Sequence, residues 1–243
     1  MELPGELDVD SWPRRESLKY RIKWNGLTCA SLNVSLERSG EFIVMEYAGA
    51  THPLIDRVWT FQMNGKSRFN TSRARPARSV LHTREGKRRK SVSVLYRHSA
   101  RRAVITTAED DTAGAEVEEL NYVHGLDLPA LFVFLRDVES LREGVGAIEL
   151  LQNDTFYAVR ARLTGNETVN VPAGRFRCSR LSVDVGPGRQ RADERDGKSS
   201  ARTQETQLWI SETDRLPVKI TTAAPVGTIT AELQRRTVEP SRQ

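Results

Sequence analysis

Cysteine is almost missing from this chain, with Cys29 and Cys178 the only two among 243 residues. So few, set so far apart, exclude a disulfide scaffold and a metal knuckle. The expectation is two reduced, half-buried strand residues. A Cys29–Cys178 bond in an oxidising compartment is the alternative, and closing so long a loop contributes roughly 4 kcal/mol of chain entropy. Long hydrophobic runs are missing as well: none approaches the ~20 residues of a membrane helix. The start, Met1-Glu2-Leu3-Pro4-Gly5-Glu6-Leu7-Asp8, lacks the basic and apolar regions of a secretory signal. Read literally it is cytoplasmic; read as a sequence trimmed to its mature part, it is not. The four histidines, His52, His82, His98 and His124, have no second His or Cys at ligand spacing, so neither a metal nor a cofactor is expected. There is no Gly-x-Ser-x-Gly elbow and no phosphate loop, and with them go the usual signatures of a serine nucleophile and a nucleotide cradle.

What is present starts with charge. The chain is net +5, but between Lys66 and Arg102 there are 13 Lys or Arg against one acid, Glu85, so that stretch carries +12 and the remainder −7. Lys87, Arg88, Arg89 and Lys90, with Arg101 and Arg102, are the candidate contacts for an anionic membrane surface. A Gly86-centred hairpin with solvated basic flanks is the plainer reading. Nucleic acid comes last, because only Phe69 and Tyr96 lie near enough to serve as stacking platforms.

Alternation of apolar and polar residues dominates the rest. Leu18, Tyr20, Ile22 and Trp24 alternate with Lys19, Arg21 and Lys23, which predicts a strand with one wet face. Asn25-Gly26 predicts a hairpin turn, and Ala30, Leu32, Val34 and Leu36 the returning face. Phe42 to Tyr47 is apolar on both faces and reads as covered from both sides. Turns are expected at Asn64-Gly65 and Gly165-Asn166, an acidic loop over 109–119, and a bulge near Ser179-Arg180 where the apolar parity of the strand switches. One helix is expected over 130–142, capped by Asp127, with Pro129 in its first turn and Leu131, Phe132, Leu135, Val138 and Leu141 as its apolar stripe. The hairpin of Gln207–Ser211 and Leu216–Ile220 reads as the element around which the other strands are arranged.

These patterns predict an all-β, mainly antiparallel fold: a strongly curved sheet or open β-barrel with one amphipathic helix plugging or flanking it. The expected organisation is a leader over 1–14, one β domain over 15–236 with a mobile loop over 186–203, and a disordered tail over 237–243. A curved sheet has a concave interior, and such interiors hold apolar ligands. Tyr20, Trp24, Trp59, Phe61, Tyr157 and Trp209 are therefore the candidate ligand-binding residues, although most large rings in a sheet are core. No catalytic residues are assigned.

Four stretches carry a family resemblance: Leu18-Lys19-Tyr20-Arg21-Ile22-Lys23-Trp24-Asn25-Gly26, Asp127 to Arg136, Val171-Pro172-Ala173-Gly174-Arg175-Phe176, and Leu208-Trp209-Ile210-Ser211 with Arg215-Leu216-Pro217-Val218. In order and spacing the chain resembles the bacterial domain of unknown function 3108. It departs at Cys29, where a small residue is more typical, and in its basic middle. The resemblance implies an exported, strongly curved antiparallel sheet in the periplasm or cell envelope, and supplies no catalytic residues. The resulting expectation is a non-catalytic envelope protein that binds an apolar or amphiphilic ligand, or an envelope partner protein, through its concave face. A hydrolase acting on an envelope polymer is the alternative, favoured by carboxylates or a carboxylate with a His converging in the concavity. A purely structural interaction module is the third reading, favoured if the concavity is filled by its own side chains.

Overall fold

Strand-forming alternation runs through nearly the whole chain, and the computed structural model turns it into one continuous sheet. It describes Val9 and residues 12–57, 59–110, 114–122, 125–136, 148–152, 155–187 and 204–239. In chain order the elements are β1 (Arg15–Trp24), β2 (Leu27–Ser39), β3 (Phe42–Thr51), α1 (Pro53–Asp56), β4 (Phe61–Asn70), β5 (Arg75–Glu85), β6 (Arg88–Arg97), β7 (Arg102–Glu109) and β8 (Glu116–Asn121). There follow β9 (Gly125–Asp127), α2 (Leu128–Phe134), β10 (Ile148–Gln152), β11 (Thr155–Val171), β12 (Gly174–Pro187), β13 (Gln204–Ser211), β14 (Pro217–Ala223) and β15 (Thr228–Glu239).

The 15 strands lie in the order β8-β7-β6-β5-β4-β3-β2-β1-β15-β14-β13-β12-β11-β10-β9. All neighbours are antiparallel except β9 and β10. The first and last strands therefore pair at the centre of the sheet, Tyr20 opposite Leu233 and Ile22 opposite Ala231. This corrects the expectation that β13 and β14 organise the sheet. Hairpin neighbours follow from sequence adjacency, whereas the β1–β15 pair joins the chain's two ends and has no local signature.

The apolar parity of each strand falls on one face. Leu18, Tyr20, Val34, Leu36, Ile43, Met45, Leu181, Val183, Leu208, Ile210, Val218 and Leu233 are buried there, together with Ala130, Leu131, Val133 and Phe134 of α2. Each such large aliphatic side chain contributes on the order of 1.5–3 kcal/mol. A second cluster joins Val92, Val94, Tyr96, Ala103 and Ile105 of β6 and β7 to Leu151 and Phe156 of β10 and β11. Strands near one edge of the sheet thus pack against strands near the other. The sheet curls around its own core, with α2 set against β4, β9 and β10, but among the described residues no ladder closes it into a barrel.

Several local expectations are corrected. Asn25-Gly26 does turn, with φ of 47° and 86°, the left-handed pair a two-residue hairpin needs. Asn64-Gly65 does not: β4 runs straight through it, because Tyr47 lies across Gly65, where a Cβ would sit 2.4 Å from the Tyr47 Cζ. Gly165-Asn166 also lies inside a strand, the 17-residue β11. The bulge expected in β12 sits in its partner: Leu163 pairs with Leu181 and Gly165 with Arg180, leaving Thr164 as the extra residue. The end of the acidic stretch, from Glu116, forms β8, held to β7 by Arg102–Glu119 at 3.1 Å, while residues 111–113 lie outside the described residues. β15 continues through Thr237 to Glu239, where the expected tail begins, because Thr237, Val238 and Glu239 pair with Ser17, Glu16 and Arg15. Trp12 of the expected leader is buried, with the Arg136 guanidinium over its ring. β3 is covered on one side only, its Phe42 and Val44 half-buried and Glu46 exposed.

The helix begins as expected, with Asp127 accepting from the Ala130 amide at 2.7 Å and Pro129 in the first turn, but ends at Phe134. Val138, Leu141 and Gly144, most of the expected 186–203 loop and residues 240–243 lie outside the described residues. Both cysteines are free. None of the described helices is long and apolar enough to cross a membrane.

Candidate functional site

Alternation that sends Leu18 and Tyr20 into the core sends Ser17 and Lys19 to the opposite face. Register then aligns the polar residues of six strands into two rows. One reads Thr237, Ser17, Ser35, Glu46, Lys66 and Val80; the other reads Arg235, Lys19, Asn33, Ala48, Asn64 and His82. These twelve residues line an open groove of about 700 Å³. Asn64 and His82 also line a second depression of about 430 Å³, which continues past Arg84, Arg89 and Lys90 to Glu109 and Asp110.

The charges in this groove are not balanced. Lys66 Nζ lies 2.7 Å from Glu46 Oε1, and farther along Lys90 meets Glu109 at 3.0 Å and Arg89 meets Asp110 at 3.8 Å. Lys19 and Arg235 have no carboxylate partner among the described residues. Two cations surrounded by the amides of Asn33 and Asn64 and the hydroxyls of Ser17, Ser35 and Thr237 suit an anionic, hydroxyl-rich ligand. Glu46 and His82 both line the groove but are separated by β4, roughly 10 Å across two strand spacings. That exceeds the reach of proton transfer between them. Among the described residues, no three His, Cys, Asp or Glu side chains gather as a ligand set for a metal.

The aromatic residues singled out in the sequence are not brought together. Tyr20 is fully buried in the core, its hydroxyl donating to the Pro217 carbonyl at 2.7 Å, and burial pushes that phenol well above its usual range. Trp209 is buried on the other parity of β13, donating to Glu167 beneath the Lys219 ammonium. Tyr157 is half-buried near the start of β11. Trp24, Trp59 and Phe61 stand at one edge of the sheet: Trp24 donates to the Val226 carbonyl at 2.6 Å, while Trp59 stacks on Phe61 and donates to Glu85 at 2.9 Å.

The basic candidates divide too. Lys87, Arg88, Arg89 and Lys90 lie at the β5–β6 turn and the start of β6, on the edge that carries Trp24 and Trp59. Arg101 and Arg102 lie past the other end of β6, about 30 Å away along a ten-residue strand, with Arg102 paired to Glu119. They form no single patch with the first four.

Sequence reasoning missed the groove residues Lys19, Asn33, Asn64, His82 and Arg235. Their polar parity was visible, but Arg235 stands beside Lys19 only through the nonlocal β1–β15 pair.

The profile of the protein family of unknown function DUF3108 matches residues 19–234. The chain belongs to that family. Among solved structures, a candidate exported protein from Bacteroides fragilis with a YmcC-like fold is similar at 9% identity and TM-score 0.41, covering 93% of this chain and 98% of that one. A candidate lipoprotein from Parabacteroides distasonis is similar at 8% identity and TM-score 0.36, covering 93% and 97%. No curated protein matches this DUF3108 chain.

Proposed function

We infer that this DUF3108 protein is a non-catalytic component of the bacterial envelope that binds an anionic, hydroxyl-rich ligand in the groove of its polar face. The observation that carries this reading is the pair Lys19 and Arg235, side by side without carboxylate partners in a groove of about 700 Å³. The apolar face, expected to hold a greasy ligand, is occupied by the protein's own side chains, Tyr20 and Leu208 among them. That filling favours the structural-module reading for the concave face itself, so ligand binding is assigned instead to the polar groove on the opposite face, and with it the ligand chemistry moves from the tail of an amphiphile to its head. An acidic sugar fits, whether as the head of a glycolipid or as a segment of an envelope polysaccharide, because amides and hydroxyls match sugar hydroxyls and the two cations match a carboxylate or phosphate. The envelope setting rests on the exported character that the family resemblance implies.

The test uses alginate oligomers as acidic glycan, dextran oligomers as the neutral control, and native mass spectrometry of protein purified from a bacterial envelope. The expected result is salt-sensitive binding of alginate, no binding of dextran, and loss of binding in Lys19→Glu/Arg235→Glu. Added mass that resists desalting identifies a lipid-linked source; its absence beside alginate binding identifies the polysaccharide. Shortening of the oligomers on incubation overturns the non-catalytic reading in favour of the hydrolase. Equal affinity for both glycans, or none for either with no added mass, overturns the groove.

A further inference from the structure

In an antiparallel sheet the turns alternate between its two edges. Asn25-Gly26, the 52–60 segment, Gly86-Lys87 and the 224–227 turn therefore share one edge. Hydrogen bonds tie them into a continuous rim. Asn25 bonds Thr228, the His52 amide donates to the Cys29 carbonyl at 2.7 Å, and the Gly86 amide donates to the Thr60 carbonyl at 2.9 Å. From β14 to β6 this rim follows eight adjacent strands, about 34 Å along the sheet edge.

Its side chains are unlike those of the opposite edge. Trp24 and Trp59 are each 48% exposed, Leu54 69%, Val226 68% and Leu27 77%. The opposite turns, at Gly40-Glu41, Thr71–Ala74, His98–Arg101 and Glu212–Asp214, carry no exposed large apolar side chain, and the strand end beside them adds only Val238, 40% exposed. Of the four tryptophans, Trp12 and Trp209 are buried, so both exposed indoles stand on this rim.

The same edge carries its own surplus of positive charge. Six cations, Arg57, Arg84, Lys87, Arg88, Arg89 and Lys90, stand there against four acids: Glu109 and Asp110 pair with Lys90 and Arg89, while Asp56 and Glu85 accept from the neutral Thr51 and Trp59 and keep their charge, which leaves +2. Arg57, Arg84, Lys87 and Arg88 have no carboxylate partner among the described residues. Amphipathic indoles and isolated aliphatic tips flanked by net positive charge are the side chains that settle at the boundary between headgroups and acyl chains of an anionic bilayer.

We propose that this rim is a membrane-docking edge, and that its occupant is the surface of an anionic phospholipid bilayer. Trp24, Leu27, Leu54, Trp59 and Val226 enter the interfacial layer, while Lys87 and Arg88 meet lipid phosphates. The sheet then stands on its turn edge, leaving the polar groove to one side.

Flotation of the full chain tests the proposal, using phosphatidylcholine vesicles with and without phosphatidylglycerol, together with quenching of indole fluorescence by lipids brominated high on the acyl chain. The expected result is salt-sensitive binding to the phosphatidylglycerol vesicles, with quenching of Trp24 and Trp59 assigned by Trp24→Phe and Trp59→Phe. Lys87→Glu/Arg88→Glu, at an exposed turn, lowers partitioning about tenfold or more, and Leu27→Glu/Val226→Glu abolishes quenching while near-ultraviolet circular dichroism stays unchanged. If the double glutamate variant misfolds, the turn variant alone decides. Failure to float with anionic vesicles, equal binding to both vesicle types, or binding without indole quenching overturns the proposal.

Discussion

Arg136 Nη1 lies 2.7 Å from Glu16 Oε2, and each side chain is 1% exposed. The pair joins the end of the helical segment to the central strand, and almost every other polar atom of the guanidinium is used: Nε donates to the Arg215 carbonyl at 2.7 Å and Nη2 to the Asp214 carbonyl at 3.4 Å. The second oxygen of Glu16 accepts from Arg236 at 2.6 Å, and Arg236 also contacts Asp214. The Trp12 ring closes the site over the guanidinium. Burial pulls the Arg136 guanidinium below its ordinary range and the Glu16 carboxylate pushes it back, so the charge survives in the core because its partner is fixed.

Removing one partner leaves the other charged and buried. Arg136→Met is therefore expected to cost about 3–5 kcal/mol. Glu16→Leu is expected to cost as much, since it strands Arg136 and leaves Arg236 with Asp214 as its remaining carboxylate. The double variant Glu16→Leu/Arg136→Met should lose clearly less than the sum of the two. Urea denaturation of the four proteins as a double-mutant cycle measures this, and additive losses would remove the coupling.

Gly65 is expected to resist even alanine. A Cβ there would meet Tyr47 Cζ and Oη at 2.4 Å and the Val80 carbonyl oxygen at 2.7 Å. Overpacking of this kind costs on the order of 1–3 kcal/mol. Burial and the nearby Asp127 charge push the Tyr47 phenol up to about 12, so the ring is neutral at physiological pH and the conflict is steric. Combining Gly65→Ala with Tyr47→Ala should recover only part of the loss, because the Val80 carbonyl is backbone. Thermal melts of the single and double variants check the ordering.

Gly65 also shows where the sequence was readable and where it was not. Two-residue periodicity located most of the strands, and Asn25-Gly26 gave its turn, because those signals are local. The same Asn-Gly pair at 64–65 gave a false turn: its glycine answers a neighbouring strand's tyrosine, a contact no local pattern announces. The parity switch at Ser179-Arg180 marked the right level of the sheet, yet the bulge lies at Thr164, since parity in one strand cannot say which of two paired strands holds the extra residue. The groove was hidden for a related reason. Lys19 and Arg235 each read as an ordinary wet-face residue, and only the meeting of the chain's two ends makes them neighbours.

Asp127 caps α2 through Oδ1 while its other oxygen is buried without a hydrogen-bond partner. Burial raises its carboxyl, opposed first by the hydrogen bond from the Ala130 amide. With the folded value above the unfolded one, this group favours folding most below the unfolded pKa of roughly 3.9, and that contribution is lost as pH rises through the folded pKa. Asn keeps the capping oxygen and removes the buried charge. Asp127→Asn should therefore be at least as stable as the parent at neutral pH, with any advantage fading in acid. Asp127→Ala should lose roughly 1 kcal/mol of capping. Paired melting curves at neutral and acidic pH distinguish these outcomes.

His98 carries the opposite dependence at the other edge of the sheet. Its Nε2 lies 2.6 Å from the Pro76 carbonyl oxygen and its Nδ1 2.8 Å from the Tyr122 hydroxyl. A neutral ring with its proton on Nε2 satisfies both, donating to the carbonyl and accepting from the phenol. Burial lowers the imidazole below its usual range, the Pro76 carbonyl opposes this, and Arg75 and Arg73 add to the lowering. Above the unfolded value of roughly 6.5 both states are neutral and the full stability is present. As pH falls from there through the folded pKa, the unfolded chain takes up the proton first and stability drops. Protonation in the folded state also leaves the Tyr122 hydroxyl facing a donor. Mild acid should thus loosen the β6–β7 turn and the Tyr122 end of β8 before the rest of the sheet. Hydrogen exchange followed at pH 7.5 and 5.5, about one unit either side of the ordinary histidine pKa, should show the earliest gain at 98–103 and 120–122. In His98→Gln that acid-specific gain should disappear while exchange at neutral pH rises, and a wild-type pattern unchanged between the two pH values would remove His98 as its cause.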